Sequence, residues 1–487
     1  MNNIKRYTLS FFLLIFALTS FAKGGGYSIK LKVNGLKDTV CYLAYYYGDK
    51  QYLKDTAKVD SKGECTFKGA EALPGGIYLI VFPDKKKLIE VIVDKNQTFS
   101  VQTDTIDPVK HLVIKGSDEN KQFYDYQNFI QKKREEIDPL ISLQAKVKNN
   151  KDSSELLKKQ ISKINEEVKN YKSDFQTKNP DALLTKIFKM TEEVDVPTSP
   201  KLPDGKIDST FAYRYYKAHY FDNIDFTDDR ELRTPLFHPK LSSYLKNMIH
   251  PSPDSIIKEC DMLVEKARPN KETFKYVVWY LTSEYSQSKI MGYDAIYVHM
   301  VEKYYMTNQA YWVTPSQLEA ITKEAMKQKP ILIGQKAPEI NYLTSVNDKS
   351  IPLSSLKAKY VILIFWSPDC GHCKTEIPLL YKVYEKYKDK GVLAYSVSTV
   401  RDTAKTLNFI RENKTFDWIN MLDLPLNDGN FYSNFRSDYS VDATPAVFLL
   451  DENKKIIAKK LSPDQIDSFL ERFLVDDKDK KDEPKKD

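Results

Sequence analysis

The spacing of apolar residues changes twice along this 487-residue chain, and these changes constrain the fold more than any other feature of the sequence. Residues 27–116 alternate between apolar and polar with a period of two, as half-buried strands do. Residues 117–330 take up the spacing of amphipathic helices. Residues 334–475 alternate short apolar runs with helical segments. The chain is therefore predicted to have an N-terminal β-sandwich, a central all-α domain and a C-terminal α/β domain.

The first of these segments combines strand periodicity with regularly placed turn residues. Asn34-Gly35, Lys62-Gly63 and Gly75-Gly76 stand between the apolar runs and supply tight turns. This spacing predicts a small antiparallel sandwich over residues 27–116. The predicted strands are Tyr27–Val33, Thr39–Tyr47, Glu64–Phe67, Ile77–Phe82, Leu88–Val93 and Thr98–Gln102.

The central segment predicts helices throughout. Ser117 or Asp118 caps a long amphipathic helix that runs to Val147, and a second helix from Ser153 to Phe175 completes an antiparallel hairpin. The four histidines of this segment lack the close spacing of metal ligands, so no metal is predicted. A proline-rich loop covers Val196–Gly205, and shorter helices are predicted over Asp181–Glu193, Leu241–Met248, Ser255–Ala267, Lys271–Ser286, Ala295–Tyr305 and Ser316–Lys327.

The third segment alternates strands and helices, which favours a mixed central sheet covered by helices. An extended stretch at Ile340–Leu343 comes first, and the charged tail 476–487 is predicted to be disordered. The strands are predicted over Tyr360–Phe365, Val392–Val397, Ala446–Leu450 and Ile456–Ala458, and the helices begin at Cys370 or cover Thr403–Glu412 and Pro463–Phe473.

The first 22 residues have the pattern of a cleaved signal peptide. Lys5 and Arg6 precede an apolar stretch, Leu9–Phe16, and Ser20-Phe21-Ala22 forms a small-x-small cleavage site. The apolar stretch is too short to span a bilayer, and no cysteine stands at the cleavage site to carry a lipid anchor. Export to the periplasm or cell envelope is therefore expected, although an uncleaved N-terminal anchor is the alternative interpretation.

Charge gives no sign of a nucleic-acid partner. The 74 Lys and Arg residues nearly balance the 67 Asp and Glu residues, and the net charge is +7. Because the lysine-rich stretches are interleaved with acidic residues, they have the composition of a solvated surface.

Five cysteines in a chain of this length do not make a disulfide scaffold. Cys41 shares a strand face with Leu43, and Cys65 shares one with Phe67, so both are expected to point inward. They could pair in an oxidising compartment, but two buried, reduced cysteines are the favoured interpretation. Cys260 is expected to be buried and inert on an apolar helix face.

The remaining two cysteines form the motif Cys370-Gly371-His372-Cys373, which directly follows an apolar strand and opens a helix. A cysteine at a helix N-terminus faces unpaired N–H groups and the positive end of the helix dipole, both of which stabilise its thiolate. Since the thiolate is the attacking species in disulfide exchange, Cys370 is predicted to be the exposed nucleophile and Cys373 the shielded resolving thiol. A zinc site, which needs four ligands, and an inert structural disulfide are the alternatives.

The two residues between the cysteines are expected to tune the redox poise. A histidine can donate a hydrogen bond to the Cys370 thiolate and, when protonated, attract it, which stabilises the reduced form. The Gly371-His372 pair therefore favours the more oxidising half of the range from about −270 mV for thioredoxin to about −180 mV for protein disulfide isomerase.

Two sequence runs resemble the thioredoxin-like proteins of the TlpA/ResA group. One is FWSPDCGHCK at residues 365–374, and the other is DATPAVFLLD at residues 442–451; the similarity covers residues 334–475. The resemblance implies a thioredoxin fold in which Trp366 belongs to the active-site segment. It also implies that Pro445 is preceded by a cis bond and lies against the cysteine pair, where the backbone of Thr444 pairs with a substrate chain.

Two positions qualify that resemblance. Many thioredoxins carry a buried aspartate two residues before the active-site tryptophan, and here the residue is Ile364. Some other base or water must then take the proton of the resolving thiol. Glu376, in the first turns of the helix, is either an electrostatic modulator of the cysteine pair or a solvated helix residue.

The leading hypothesis is an exported thiol-disulfide oxidoreductase that reduces or isomerises protein disulfides without a cofactor. A membrane-embedded redox partner is expected to return its cysteine pair to the starting redox state. One alternative is a thiol peroxidase, because Ser367 precedes Cys370 by three residues as in peroxiredoxins; however, Leu363 occupies the position of their proline. Another is an envelope protein whose front domains bind a glycan, peptide or protein and whose thioredoxin domain is accessory. The sequence leaves the oligomeric state open.

Overall fold

The computed structural model describes residues 25–147, 150–347, 349–423 and 433–479. They form two compact units, with the boundary between Met248 and Ile249. The predicted helical domain of residues 117–330 is thus divided between the units. The predicted signal peptide lies outside the described residues, and none of the helices within them is long and apolar enough to cross a membrane.

The described part of the first unit begins with two four-stranded sheets that pack face to face. One has the order β4-β1-β7-β8 and the other the order β3-β2-β5-β6. Their facing side chains, such as Ile29, Leu43 and Ile80, are fully buried in a shared core. The strands are β1 (Tyr27–Asn34), β2 (Thr39–Tyr47), β3 (Lys50–Val59), β4 (Glu64–Gly69), β5 (Gly76–Val81), β6 (Leu88–Val93), β7 (Thr98–Asp104) and β8 (Val113–Lys115).

The sandwich confirms the predicted strands and corrects two details. The sandwich is not wholly antiparallel, because β1 pairs in parallel with β7 along its length. The sequence also missed two strands, the three-residue β8 and β3, and the side chains of β3 are mostly exposed and show no apolar alternation until Ala57 and Val59. Strand β3 lies at a sheet edge, so its backbone forms hydrogen bonds with a neighbouring strand, β2, on one side only.

Helices complete the first unit, and the first two form the predicted hairpin. Ser117 caps the first of them through its side chain, which accepts a hydrogen bond from the Asn120 N–H group. Phe129 stacks on Tyr171 across the hairpin, with 4.5 Å between ring centroids. The helices are α1 (Asp118–Lys146), α2 (Lys151–Lys178), α3 (Leu183–Met190), α4 (Phe211–His219), α5 (Asp229–Leu232) and α6 (Phe237–Asn247), of which α4 and α5 were not predicted.

The second unit opens with helices that the sequence predicted closely. Asp261 on the first of them accepts hydrogen bonds from Tyr304 and His299, so this histidine has a structural partner. Cys260 is fully buried, as predicted. The helices are α7 (Pro253–Ala267), α8 (Lys271–Ser286), α9 (Asp294–Met300), which continues as a π-helical turn over Val301–Tyr305, and α10 (Pro315–Gln328).

In the described part of the chain, these helices are followed by a mixed sheet with the strand order β14-β13-β10-β11-β12-β9. This sheet confirms the predicted fold class. β10, β11 and β12 are parallel, whereas β13, β14 and β9 run antiparallel to their neighbours. The elements are β9 (Thr344–Ser345), β10 (Tyr360–Trp366), α11 (Gly371–Tyr387), β11 (Val392–Ser398), α12 (Thr403–Glu412), β12 (Ile419–Leu422), α13 (Phe435–Asp438), β13 (Ala446–Leu450), β14 (Ile456–Lys459) and α14 (Pro463–Asp479).

Two predictions in this region are corrected by the structure. The stretch Ile340–Leu343, predicted to be extended, is interrupted at Tyr342, whose backbone is left-handed with a φ of 62°, and the two-residue strand β9 follows it. The closing helix continues past Phe473 to Asp479, into the charged segment that was predicted to be disordered. Residues 480–487 lie outside the described part of the chain.

Helices α7–α10 are joined to the sheet by buried and surface ion pairs. Lys459 of β14, whose side chain is 5% exposed, pairs with Asp294 of α9. Its ammonium group also donates a hydrogen bond to the Ile331 carbonyl at 2.7 Å. Lys327 of α10 pairs with Asp442 at 2.6 Å, close to the predicted cis proline. The sheet and these helices therefore share one compact unit.

Candidate active site

The candidate site lies where β10 ends and α11 begins. β10 is a central strand whose side chains from Val361 to Trp366 are buried, because it pairs with β11 on one side and β13 on the other. Cys370 has the extended backbone of an N-cap residue, and Gly371 is the first residue of the helix. The chain thus leaves the core and presents a cysteine at the N-terminal end of a long helix.

The Cys370 sulfur is surrounded by hydrogen-bond donors. Burial raises the pKa of the Cys370 thiol, but hydrogen bonds from the Thr444 side chain, from the N–H groups of Cys373 and His372 and from the Cys373 thiol outweigh it. The pKa therefore lies below that of an ordinary thiol. This is the effect expected at a helix N-terminus, where the first N–H groups have no partner within the helix.

The Cys373 sulfur has the opposite character. It is fully buried one turn along α11, and desolvation raises the pKa of its thiol to about 11. The Ser367 N–H group points at it from 3.5 Å. Both thiols are free in this structure. The two cysteines thus divide into a partly exposed, acidic thiol and a shielded, weakly acidic one.

The loop before β13 closes the site from the other side. The Thr444–Pro445 peptide bond is cis, as the resemblance implies. The Thr444 carbonyl accepts a hydrogen bond from the Cys370 thiol at 3.0 Å, although 74 residues separate the two in sequence. Thr444 and Pro445 are both half-buried. The structure therefore brings the two sequence runs together at the Cys370 sulfur.

The other predicted site residues surround the pair at different depths. Trp366 is buried and stacks on Phe409 of α12, with 4.6 Å between ring centroids. Gly371 and His372 are exposed, and it is the backbone N–H group of His372 that contacts the Cys370 sulfur. Glu376 is half-buried on α11. Trp366 therefore packs in the core beneath the turn, whereas Gly371 and His372 face solvent.

Three contacts at this site were not predicted from the sequence. They are the Ser367 N–H group at Cys373, the Thr444 side chain at Cys370, and an exposed ion pair between Lys405 and Asp369 at 3.2 Å. Asp369 stands in the motif, but Lys405 is one of many surface lysines, so only the packing of α12 beside the turn identifies it.

The position that holds an aspartate in many thioredoxins is fully apolar here. Ile364 is completely buried in β10 within the core beneath α11. No group of three or more His, Cys, Asp or Glu side chains within the described ranges is arranged to hold a metal ion. The arrangement consists of two free thiols, one partly exposed with a lowered pKa and one buried with a raised pKa.

Models of known protein families match three successive parts of the chain. The Redoxin model matches residues 332–472, which contain the cysteine pair and the cis proline. Two domains of unknown function, DUF4369 and DUF5106, match residues 27–123 and 144–335. The Redoxin match coincides with the mixed sheet and its helices.

Curated relatives and solved structures resemble the same C-terminal region. Thiol-disulfide oxidoreductase ResA of Bacillus subtilis is 30% identical over 142 residues, which cover 29% of this chain and 73% of that protein. ResA of Bacillus cereus is 29% identical over 144 residues, 29% of this chain and 78% of that protein. A solved domain of a possible thiol-disulfide isomerase from Cytophaga hutchinsonii is 36% identical and covers 31% of this chain and 97% of that domain, with a TM-score of 0.27. The chain therefore belongs to the TlpA/ResA-like thiol-disulfide oxidoreductases, enzymes of the thioredoxin fold, and carries additional β-rich and helical regions before that domain.

Proposed function

We propose that this oxidoreductase exchanges electrons with protein disulfides outside the cytoplasm through Cys370 and Cys373, as a reductase or isomerase. The observation that carries the proposal is the split between the two thiols: the pKa of Cys370 is lowered at the helix N-terminus, and the pKa of Cys373 is raised by burial. A low-pKa, reachable thiol is the one that attacks a disulfide, and a protected neighbour is the one that completes the exchange.

The reaction consists of two thiol-disulfide exchanges. The Cys370 thiolate attacks one sulfur of a substrate disulfide, forms a mixed disulfide and expels the other substrate sulfur as a thiolate, which takes up a proton. Cys373 then loses its proton and attacks the Cys370 sulfur, so that the substrate leaves as a dithiol. Two electrons pass from the enzyme to the substrate, and the Cys370–Cys373 disulfide remains.

The proton of Cys373 governs the second exchange. Because the pKa of this thiol is about 11, only a small fraction of it is ionised at neutral pH. Ile364 stands where other thioredoxins have a carboxylate, so water or a substrate group must accept the proton. The Ser367 N–H group at 3.5 Å then helps to stabilise the thiolate that forms.

The loop that precedes β13 is the surface on which the substrate chain binds. Thr444 offers backbone groups beside Cys370, and its carbonyl lies 3.0 Å from the reactive sulfur. An extended substrate segment that pairs with this backbone would bring its own sulfur into line with Cys370. Export through the predicted signal peptide, and reduction of the resulting disulfide by a membrane-embedded electron carrier, complete the proposal.

Trapping the mixed disulfide tests the assignment. The Cys373→Ser variant, incubated with insulin or scrambled ribonuclease, should accumulate a covalent adduct at Cys370, because no second thiol can release the substrate. The Cys370→Ser variant should form no adduct, and Cys65→Ser should behave as the unmodified chain does. An adduct that forms equally well without Cys370 would refute the proposal.

Two further assays separate the alternatives. Equilibration of the cysteine pair with defined ratios of reduced and oxidised glutathione gives its reduction potential, and scrambled ribonuclease distinguishes isomerisation from reduction. Hydrogen peroxide consumption by the reduced chain at a rate matching insulin reduction would instead favour a thiol peroxidase.

A further inference from the structure

A second pair of cysteines lies in the β-sandwich, far along the chain from the candidate active site. Cys41 is on β2 and Cys65 is on β4, and these strands belong to different sheets of the sandwich. Cys41 is fully buried in the shared core, and Cys65 packs against that core from a partly exposed position. The two thiols are hydrogen-bonded to each other across the interface between the sheets.

We propose that Cys41 and Cys65 form a disulfide that links the two sheets when the chain meets a disulfide oxidant. Their side chains already face one another, so the bond requires the sulfurs to approach from hydrogen-bonding distance to bonding distance, about 2.05 Å. Both cysteines are anchored in regular strands, Cys41 opposite Ala57 of β3 and Cys65 opposite Leu31 of β1. The strands therefore hold the two thiols next to each other at the interface between the sheets.

Access to the pair comes through Cys65. Strand β4 is an edge strand of its sheet, whereas β2 lies between β3 and β5. An oxidant can thus reach Cys65 from solvent, while Cys41 stays in the core. The hydrogen bond with Cys41, burial and the nearby Asp60 carboxylate all raise the pKa of the Cys65 thiol. By exposure, Cys65 is therefore the thiol that meets the oxidant, and the buried Cys41 is the one that completes the bond.

The chemistry balances with a disulfide RSSR as the oxidant. Cys65 loses its proton and attacks one sulfur of RSSR; a mixed disulfide forms, and one RSH leaves with that proton. Cys41 then loses its proton and attacks the Cys65 sulfur, and the second RSH leaves. The pair gives up two electrons and two protons, and the oxidant becomes two thiols.

The position of the bond explains what it would stabilise. The segment between the two cysteines contains β3, an edge strand that buries only Ala57 and Val59. A covalent link closes this segment into a ring and removes much of its conformational freedom in the unfolded chain. The disulfide would then close the segment that carries this edge strand at both of its ends.

The test uses the full chain with Cys370→Ser and Cys373→Ser, so it does not depend on the proposed exchange activity. This chain is reduced, freed of reductant, exposed to oxidised glutathione in its native state, then acidified and unfolded with a thiol-alkylating reagent. Peptide mass spectrometry should find the Cys41 and Cys65 peptides linked, lighter by two hydrogen atoms than the free pair, and Cys260 alkylated. The melting temperature of the sandwich should rise by several degrees on oxidation.

The matched control adds Cys65→Ser to the same chain. Because Cys65 is partly exposed, this change leaves the core intact, and Cys41 should then be recovered as an alkylated thiol with no rise in melting temperature. Recovery of both Cys41 and Cys65 as alkylated thiols from the oxidised chain would overturn the proposal. A stable glutathione adduct on Cys65 beside a free Cys41 thiol would overturn it as well.

Discussion

The chain holds two thiol pairs in two different structural settings. Cys370 and Cys373 lie one helical turn apart at the start of α11, and Cys41 and Cys65 face each other between two sheets. In the first pair, helix N–H groups lower the pKa of the more accessible thiol. In the second pair, the more accessible thiol is Cys65, and its surroundings raise its pKa. The more accessible thiol is thus more acidic than an ordinary thiol at the helix terminus and less acidic in the sandwich.

The comparison shows that proximity of two thiols does not by itself make an exchange site. What separates the pairs is whether preorganised donors meet the sulfur that a partner can reach. At the helix that sulfur is Cys370, whose pKa is lowered by backbone N–H groups; in the sandwich the thiol whose pKa is lowered is the buried Cys41, by a hydrogen bond from Cys65.

The largest effect is expected from removing the reachable sulfur of each pair in turn. Cys370→Ser should lower the rate of insulin reduction by about 10³-fold or more, because a hydroxyl does not replace the thiolate nucleophile. Cys65→Ser should leave that rate unchanged. A rate that falls equally in both variants would show that the two pairs are not functionally distinct.

Oxidation should stabilise the two regions unequally. The Cys41–Cys65 disulfide closes a long segment and should add about 2–4 kcal/mol to the free energy of unfolding of the sandwich. The Cys370–Cys373 disulfide closes a short ring and gives up a thiolate that the native structure stabilises, so its gain should be smaller or absent. The difference is measured by urea unfolding of two variants, each in its oxidised and its reduced form. Cys65→Ser keeps only the Cys370–Cys373 pair, and Cys370→Ser/Cys373→Ser keeps only the Cys41–Cys65 pair. Equal gains would contradict this explanation.

The pH dependence of alkylation should separate the reachable thiols. The pKa of Cys370 is lowered, so its thiolate persists at a lower pH, and its alkylation rate should reach half its maximum below pH 8.5, the usual thiol value. The pKa of Cys65 is raised, so its rate should still be climbing well above that pH. Rates with iodoacetamide from pH 5 to 10, resolved by peptide mass, test both directions. Parallel profiles would contradict the assigned environments.

The smallest effect is expected from Glu376→Gln. At about 1.5 Å per residue, Glu376 lies about 9 Å along α11 from Cys370, close to the screening length of physiological salt. The alkylation pKa of Cys370 should therefore fall by only a fraction of a unit when the carboxylate is removed. A larger fall would make Glu376 an electrostatic modulator; Lys382→Gln, further along the same helix, is the matched control.

Much of the fold was predictable because its signals are local. The strands β1, β2 and β13 and the helices α1, α8 and α12 were predicted nearly to the residue, since each has a clear period and a cap or turn at its ends. β3, β12 and α4 were missed because their burial is partial or their segments are short. The cysteine pair was also predictable, because its position follows from a strand, a turn and a helix start.

Most strands and helices, and the position of a dithiol at a helix terminus, can be predicted from the amino-acid sequence, because those features depend on neighbouring residues. The parallel pairing of β1 with β7, the contact of Thr444 with the Cys370 sulfur and the contact of Cys41 with Cys65 become visible only in the folded chain. Each joins residues on strands or loops far apart in sequence. Such contacts follow from sheet order and from packing free energy summed over the whole unit, which no local pattern contains.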